Sequence, residues 1–131
     1  MANPNLLAAT TASGTVAYLT PSGTTALVLI RNASASGTVL KVNQIVAANV
    51  NGSAAVDTTV SIYTNGGQLP NNAPSGGTAY PIVSTVSVPA DASLIVTDKT
   101  TAIYLMEDQS IVVTSGTASG ITYTVSYEII S

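Results

Sequence analysis

The sequence contains no cysteine, histidine, tryptophan or phenylalanine, and charged residues make up only 7% of its 131 residues. Without cysteine and histidine the chain lacks the usual zinc ligands. Without histidine it also lacks the general base of a Ser-His-Asp triad. A serine paired with Lys41 or Lys99 is the remaining nucleophilic arrangement, and the abundance of serine gives that pairing almost no specificity. We therefore predict a protein that is not an enzyme and that holds no metal or cofactor.

The few charges are also scattered along the chain. The net charge is −3, and the three basic residues are Arg31, Lys41 and Lys99. A nucleic-acid-binding domain needs a basic patch, so we expect no nucleic-acid partner. Because so few charges repel one another, molecules of this protein can associate easily. This predicts a surface that is largely covered by copies or partners. The alternative is a soluble domain whose surface is rich in Ser and Thr. The N-terminus has no signal-peptide pattern, and no apolar run is long enough to span a membrane.

The six acidic residues do not form a recognisable site. Glu107 and Asp108 could join Asp91 or Asp98 as oxygen ligands for calcium, but the Asp-x-Asp spacing of a calcium loop is missing. These residues lie between apolar runs, where Asp is a common turn residue. We therefore expect turn-forming roles for them.

Short runs rich in Val and Ile alternate with turns that carry Pro, Gly, Asn or Asp, most clearly over residues 86–114. This pattern predicts antiparallel strands, which we place at residues 14–19, 24–31, 38–48, 56–64, 82–88, 94–97, 110–114 and 121–130. The expected fold is all-β: a two-sheet antiparallel sandwich of about eight strands with jelly-roll or Greek-key connections. Residues 1–131 form one domain with a short N-terminal arm (1–12).

Three local patterns make sharper predictions. In residues 121–130 the odd-numbered apolar side chains, including Tyr123 and Tyr127, share one face, which predicts that this face lies in the core. Asn51-Gly52 predicts a two-residue hairpin. Residues 102–105 form a short continuation that we place in the other sheet from residues 94–97.

Two segments are candidates for contacts within an assembly. The N-terminal arm carries Leu6 and Leu7, and the long irregular segment 68–81 carries Leu69 and Tyr80. A loop of that length is commonly functional or flexible, so we predict assembly contacts at these four residues. The alternative for segment 68–81 is a solvated surface loop.

Shifting the chain by 65 residues aligns several identical residues, among them Leu29 with Leu94 and Gln44 with Gln109. Two interpretations follow. One is an internal duplication; the other, which claims less and which we favour, is that two four-strand motifs share the same strand spacing.

Several stretches resemble a known family: Met1–Asn5, Lys41–Gly52, Val88–Leu94, Ile103–Asp108 and Ser126–Ile129. They are similar to the small virion structural proteins of tailed phages that infect cyanobacteria. The resemblance covers most of the chain, although segment 68–81 is longer than the family pattern. It implies a β-sandwich on the virion, and specifically a capsid decoration (cement) protein that bridges capsomers.

The same resemblance implies partners and location. The partners would be the major capsid protein and further copies of this chain, as a homotrimer on the capsid surface, assembled in the host cytoplasm. The alternative is a neck, tail or fibre component whose exposed tyrosines contact host glycans.

Overall fold

The computed structural model describes residues 5–131, and residues 1–4 of the predicted arm lie outside that part. Nine strands form two antiparallel sheets, and two single-turn 3₁₀ helices, Leu6–Ala8 and Lys99–Thr101, accompany them. The strands are β1 (Ala12–Leu19), β2 (Leu27–Asn32), β3 (Val39–Asn49), β4 (Val56–Thr64), β5 (Thr78–Val88), β6 (Ser93–Thr97), β7 (Ile103–Leu105), β8 (Gln109–Ser115) and β9 (Ile121–Ile130).

The strand order is that of a jelly roll. The five-stranded sheet runs β1-β9-β3-β6, with β7 also paired to β3, and the four-stranded sheet runs β2-β8-β4-β5. The chain crosses repeatedly between the sheets, so neighbours in each sheet are mostly distant in sequence. The prediction of an all-β two-sheet sandwich is confirmed.

The 65-residue shift has a counterpart in this topology. It places β1 on β5, β2 on β6, β3 on β8 and β4 on β9. Applied to the order β1-β9-β3-β6, it yields β5-β4-β8-β2, which is the four-stranded sheet read backwards. The two halves therefore share strand spacing, and the shift exchanges the sheets; duplication itself stays a hypothesis.

The core lies between the sheets and consists mainly of Val, Ile and Leu. β3 and β9 supply Val42, Ile45, Tyr123 and Val125 from one sheet, and the other sheet contributes Leu29, Val60, Ile111 and Val113. As predicted, Ile121, Tyr123 and Val125 are fully buried, and Tyr127 and Ile129 pack against the same cluster. β-Branched side chains suit this pleated interface.

A polar connection at Tyr123 crosses the core. The hydroxyls of Tyr123 on β9 and Thr58 on β4 are hydrogen-bonded, and the Tyr123 hydroxyl donates to the carbonyl of Thr114 on β8 at 2.8 Å. Burial raises the pKa of Tyr123 to about 12, while the bond from Thr58 acts in the opposite direction. The connection ties the two sheets together because its partners lie in different sheets.

Asn51-Gly52 does not form the predicted hairpin. It connects β3 and β4, which belong to different sheets, and neither residue has a positive φ. The buried side chain of Asn49 directs this crossing: it donates to the carbonyls of Val88 and Ala54 and accepts from the Asn51 N–H. These three hydrogen bonds replace the turn geometry that Asn-Gly favours in a hairpin.

The placement of residues 102–105 in the other sheet is also wrong. β6 and β7 both pair with β3, at Ile45–Ala48 and at Leu40–Val42. Asp98 caps the 3₁₀ helix between them by accepting from the Thr100 N–H at 2.9 Å. β7 therefore continues the line of β6 along β3 after a one-turn interruption.

The segment predicted as irregular, 68–81, is shorter in the structure because β5 begins at Thr78. Pro81 weakened the strand signal in the sequence. β5 is an edge strand, where a proline is tolerated because one side of the backbone has no strand partner. Register irregularities opposite Thr58–Ser61 also disturb the alternation.

The remaining loop, residues 65–77, folds back over the outer side of the four-stranded sheet. Val28 exchanges backbone hydrogen bonds with Asn71 and Asn72, each at 2.9 Å. Val28 and Val112 are buried without belonging to the core cluster, and Gly67 lies beside Ser110. The loop therefore packs against this side of the sheet, while most of its own residues remain exposed to solvent.

Two glycines close the base of this loop. Gly66 and Gly77 both have positive φ, and a Cβ at either position would lie 2.5 Å or less from backbone oxygen atoms of the opposite strand of the loop. Both the backbone conformation and the close approach therefore require glycine.

We predict that Gly66→Ala and Gly77→Ala each lower the free energy of unfolding by about 1–3 kcal/mol, since a Cβ would force the loop base apart. Gly23→Ala is the matched control, because a Cβ there meets nothing within 4 Å and its φ is not positive. Urea denaturation measures all three. An equal effect of the three variants would contradict the proposed loop closure.

Tyr123 predicts a pH dependence. Its folded pKa of about 12 lies above its ordinary value of 10.0, so the neutral form is favoured by folding. The contribution of Tyr123 to the free energy of unfolding is fully present below pH 10 and is lost as the pH rises through 12. Urea denaturation from pH 9 to 12 should show a loss of stability that is smaller in Tyr123→Phe. Equal slopes in the two proteins would contradict this role.

Candidate interaction surfaces

The outer side of the five-stranded sheet carries an uninterrupted row of side chains across four strands. Tyr18 on β1 is paired with Thr124 on β9, Thr124 with Val46 on β3, and Val46 with Ile95 on β6. Tyr18 is 76% exposed and Ile95 is 58% exposed. The row ends in a large apolar side chain at each edge of the sheet.

Neighbouring rows extend this surface, which we call the open face. One row joins Val16, Ser126 and Gln44, and the next joins Gly14, Glu128, Lys41 and Tyr104. Val16 and Tyr104 are exposed like Tyr18 and Ile95. Unlike the outer side of the four-stranded sheet, the open face has no loop folded across its rows among residues 5–131.

The open face is electrically neutral. The two charged residues within its rows, Lys41 and Glu128, form an ion pair at 4.0 Å, and Asn43 donates to the same Glu128 carboxylate at 3.2 Å. Such a partly exposed pair contributes little stability, about 0–1 kcal/mol. Its main effect is that the face presents no net charge to a partner. Asp98 and Lys99, one acidic and one basic residue, border Gln44 and Ser126 at the edge of the face.

The N-terminal segment lies beside this face. Leu6 borders a groove of about 430 Å³ together with Lys41, Tyr104 and Glu128, while Leu7 is 99% exposed. The backbone is anchored to the C-terminus because the N–H groups of Thr10 and Thr11 donate to the Ser131 carbonyl. The predicted contact residues Leu6 and Leu7 are thus exposed and lie near the open face.

The other two predicted contacts lie elsewhere. Leu69 is in the covering loop, close to the residues that bond to β2, and Tyr80 is on β5, at the opposite edge of the four-stranded sheet. Both are exposed. The four predicted residues therefore do not form one surface.

Sequence reasoning missed Val16, Ile95 and the row between them. β1 has mainly small side chains, so its alternation is weak, and the row is formed by strands that are far apart in sequence. The exposed tyrosines were the available signal. Tyr18 and Tyr104 are both more exposed than the core-facing Tyr123 and Tyr127.

The acidic residues predicted to form turns, Asp91, Asp98, Glu107 and Asp108, lie in turns or at a helix cap, whereas Asp57 and Glu128 lie on β4 and β9. Asp91 and Asp108 have positive φ values of 58° and 63°, a conformation that Asp tolerates better than most residues. Hydrogen bonds from the Thr100 side chain and backbone lower the pKa of Asp98. Within the described residues, no group of three or more acidic side chains is placed to hold a metal ion.

Comparisons with protein families, with curated proteins and with solved structures found no match to this chain. Among residues 5–131, no helix has the length and apolar character needed to cross a membrane.

The exposure of the open face predicts that its apolar side chains can be changed without loss of the fold. Tyr18→Ser and Ile95→Ser should each change the free energy of unfolding by no more than about 1 kcal/mol, the range of a single cross-strand pair. Ile45→Ser, at a fully buried position on β3, should lower it by more than 2 kcal/mol, by the usual magnitude for core truncations. Urea denaturation measures these differences, and a large loss in Ile95→Ser would show that Ile95 belongs to the core.

Proposed function

We propose that this chain is a non-enzymatic structural protein of a phage virion, and specifically a capsid decoration protein that stabilises the head by bridging capsomers. The observation that carries the proposal is the neutral open face with its exposed Tyr18, Ile95 and Tyr104. The family resemblance in the sequence supplies the biological setting. A jelly roll suits this task because a rigid sheet offers a fixed surface for shape-based contact.

The size of the open face has a consequence for binding. Four strands spaced about 4.8 Å apart, with seven residues of about 3.4 Å each, give a face of roughly 20 by 24 Å. A standard interface takes about 800 Å² of accessible surface from each partner. The open face alone is therefore small, and we propose that the N-terminal segment around Leu6 and Leu7 adds to the contact.

Symmetric association would strengthen such a contact. Several linked copies that bind neighbouring capsomers gain avidity without a larger interface per copy. The proposed partners are therefore the major capsid protein and further copies of this chain. A homotrimer on the capsid surface is the form that the resemblance implies, with assembly in the host cytoplasm.

The charge distribution fits a protein partner better than a nucleic acid. Arg31 lies on β2, Lys99 lies in the second 3₁₀ helix, and Lys41 is paired with Glu128. The three cations thus lie on separate elements, and the one on the open face is neutralised. A binding energy that depends on released counterions would need several basic groups together.

The second candidate is a neck, tail or fibre component that contacts host glycans. It is favoured by Tyr104, which borders the same groove as Glu128 and Lys41, since an aromatic ring beside polar groups can stack on a sugar. These groups lie on the strands of the sheet rather than at a loop end. We therefore rank this candidate second.

Co-sedimentation tests the proposal. The purified protein should sediment at saturating stoichiometry with capsids assembled without it, and not with isolated tails. Ile95→Lys should reduce capsid binding at least tenfold, because it places a charge in an apolar contact. Val50→Lys is the matched control, since Val50 is also an exposed aliphatic residue, 54% exposed, but lies outside the open face.

Two outcomes would contradict the capsid assignment. Binding to tails alone would favour the second candidate and would justify a screen of host glycans. Equal losses in Ile95→Lys and Val50→Lys would show that the open face is not the contact surface.

A further inference from the structure

Each sheet ends in edge strands whose outer backbone groups have no strand partner. Such edges tend to pair with other chains, and proteins usually block them with proline, charge, bulges, short length or a covering segment. The five-stranded sheet ends at β1 on one side and at β6 with β7 on the other. The four-stranded sheet ends at β2 and β5.

Three of these edges are blocked. β5 contains Pro81, two register irregularities and a positive φ at Thr85. β2 is covered at Val28 by Asn71 and Asn72 of the loop. The edge formed by β6 and β7 consists of five and three residues, interrupted by a 3₁₀ helix.

β1 has none of these features. Its eight residues, Ala-Ser-Gly-Thr-Val-Ala-Tyr-Leu, include no proline and no charged side chain. Each residue from Ala12 to Leu19 pairs with β9 in one unbroken register. Within the described residues, no other segment bonds to the outer edge of β1 as Asn71 and Asn72 bond to β2. β1 is therefore a long edge in regular register, with none of these protections.

The backbone groups that face outward can be identified. Thr11 and Ser131 exchange two hydrogen bonds, each of 3.0 Å, so the odd-numbered residues of β1 bond to β9. The direction of the backbone N–H and C=O groups alternates from residue to residue along an unbroken antiparallel pair. The N–H and C=O groups of Gly14, Val16 and Tyr18 therefore point to the free edge. The side chains of the same three residues lie on the open face.

We propose that β1 pairs antiparallel with β1 of a second copy around a twofold axis at Val16, so that two five-stranded sheets become one continuous sheet. Even-numbered residues must then lie opposite even-numbered residues. With Val16 opposite Val16, Tyr18 of one copy lies opposite Gly14 of the other. The pairing forms about six backbone hydrogen bonds, two for each such pair.

The side chains of β1 favour this register, and they favour a second copy of the chain as the partner. A Cβ at Gly14 would meet nothing within 4 Å, so the Tyr18 ring of the second copy has room to cover it, as aromatic residues cover glycines in designed sheets. The absence of charge in β1 lets two identical edges meet without repulsion. An isologous contact needs this self-complementarity.

This inference does not depend on the proposed function. A twofold contact joins copies in pairs. If the oligomer on the capsid is a trimer, the same contact would join neighbouring trimers.

The test uses sedimentation equilibrium of the full-length protein. The wild-type chain should dimerise, and Val16→Lys and Val16→Glu should each weaken dimerisation at least tenfold, because each places like charges together at the twofold axis. An equimolar mixture of the two variants should restore the dimer, which also shows that both remain folded. Ile95→Lys, at the opposite edge of the same sheet, should dimerise like the wild-type protein.

Single-cysteine variants test the register. The chain contains no cysteine, so Val16→Cys should form an intermolecular disulfide under mild oxidation, since paired Cα atoms about 5.5 Å apart are within disulfide range. Ile95→Cys should not. A wild-type monomer at the highest soluble concentration, or a dimer unaffected by Val16→Lys, would overturn the proposal.

Discussion

The structure depends on one constraint: with three basic and six acidic residues, the chain has too few charges to prevent its sheet faces and edges from pairing or stacking with other sheets. Most globular proteins place lysine and glutamate where strands would otherwise pair or stack. This protein uses the backbone instead: a proline and bulges on β5, a loop against β2, and an interrupted edge at β6 and β7. Where no such device is present, the surface is available for association.

The two sheets differ in whether their outer sides are covered. The outer side of the four-stranded sheet is closed by the loop over residues 65–77, which is possible because Gly66 and Gly77 let its two arms approach closely. The five-stranded sheet keeps its outer side uncovered, and its one ion pair leaves it neutral. The strand order of the two sheets is related by the 65-residue shift, so this difference arises from the connecting segments and not from the topology.

The sequence predicted the elements whose signal is local. The strands at Val56–Thr64 and Ile121–Ile130 have the predicted boundaries, because apolar and polar residues alternate along them and the core lies on one side. Prediction from the sequence was wrong where a local preference competed with long-range packing. Asn51-Gly52 has the preference of a hairpin, but the side chain of Asn49 guides the chain into the other sheet.

The candidate surfaces could be predicted only in part. Exposed Leu6 and Leu7 follow from their place before the first strand, and they lie near the open face. The row from Tyr18 to Ile95 depends on which strands are neighbours, and β1, β9, β3 and β6 are not consecutive. The exposed edge of β1 depends on the same order, since any of the strands could have been an edge until the sheets were known.

The central claim is that the uncovered edge and face of the five-stranded sheet form an association surface. Residue-resolved amide hydrogen exchange tests it most directly, with the purified protein at low and high concentration. The account predicts that the amides of Gly14, Val16 and Tyr18, which face the free edge, become protected as concentration rises, while those of Thr15 and Ala17 are protected throughout. Rapid exchange of the Val16 and Tyr18 amides at every concentration would contradict it.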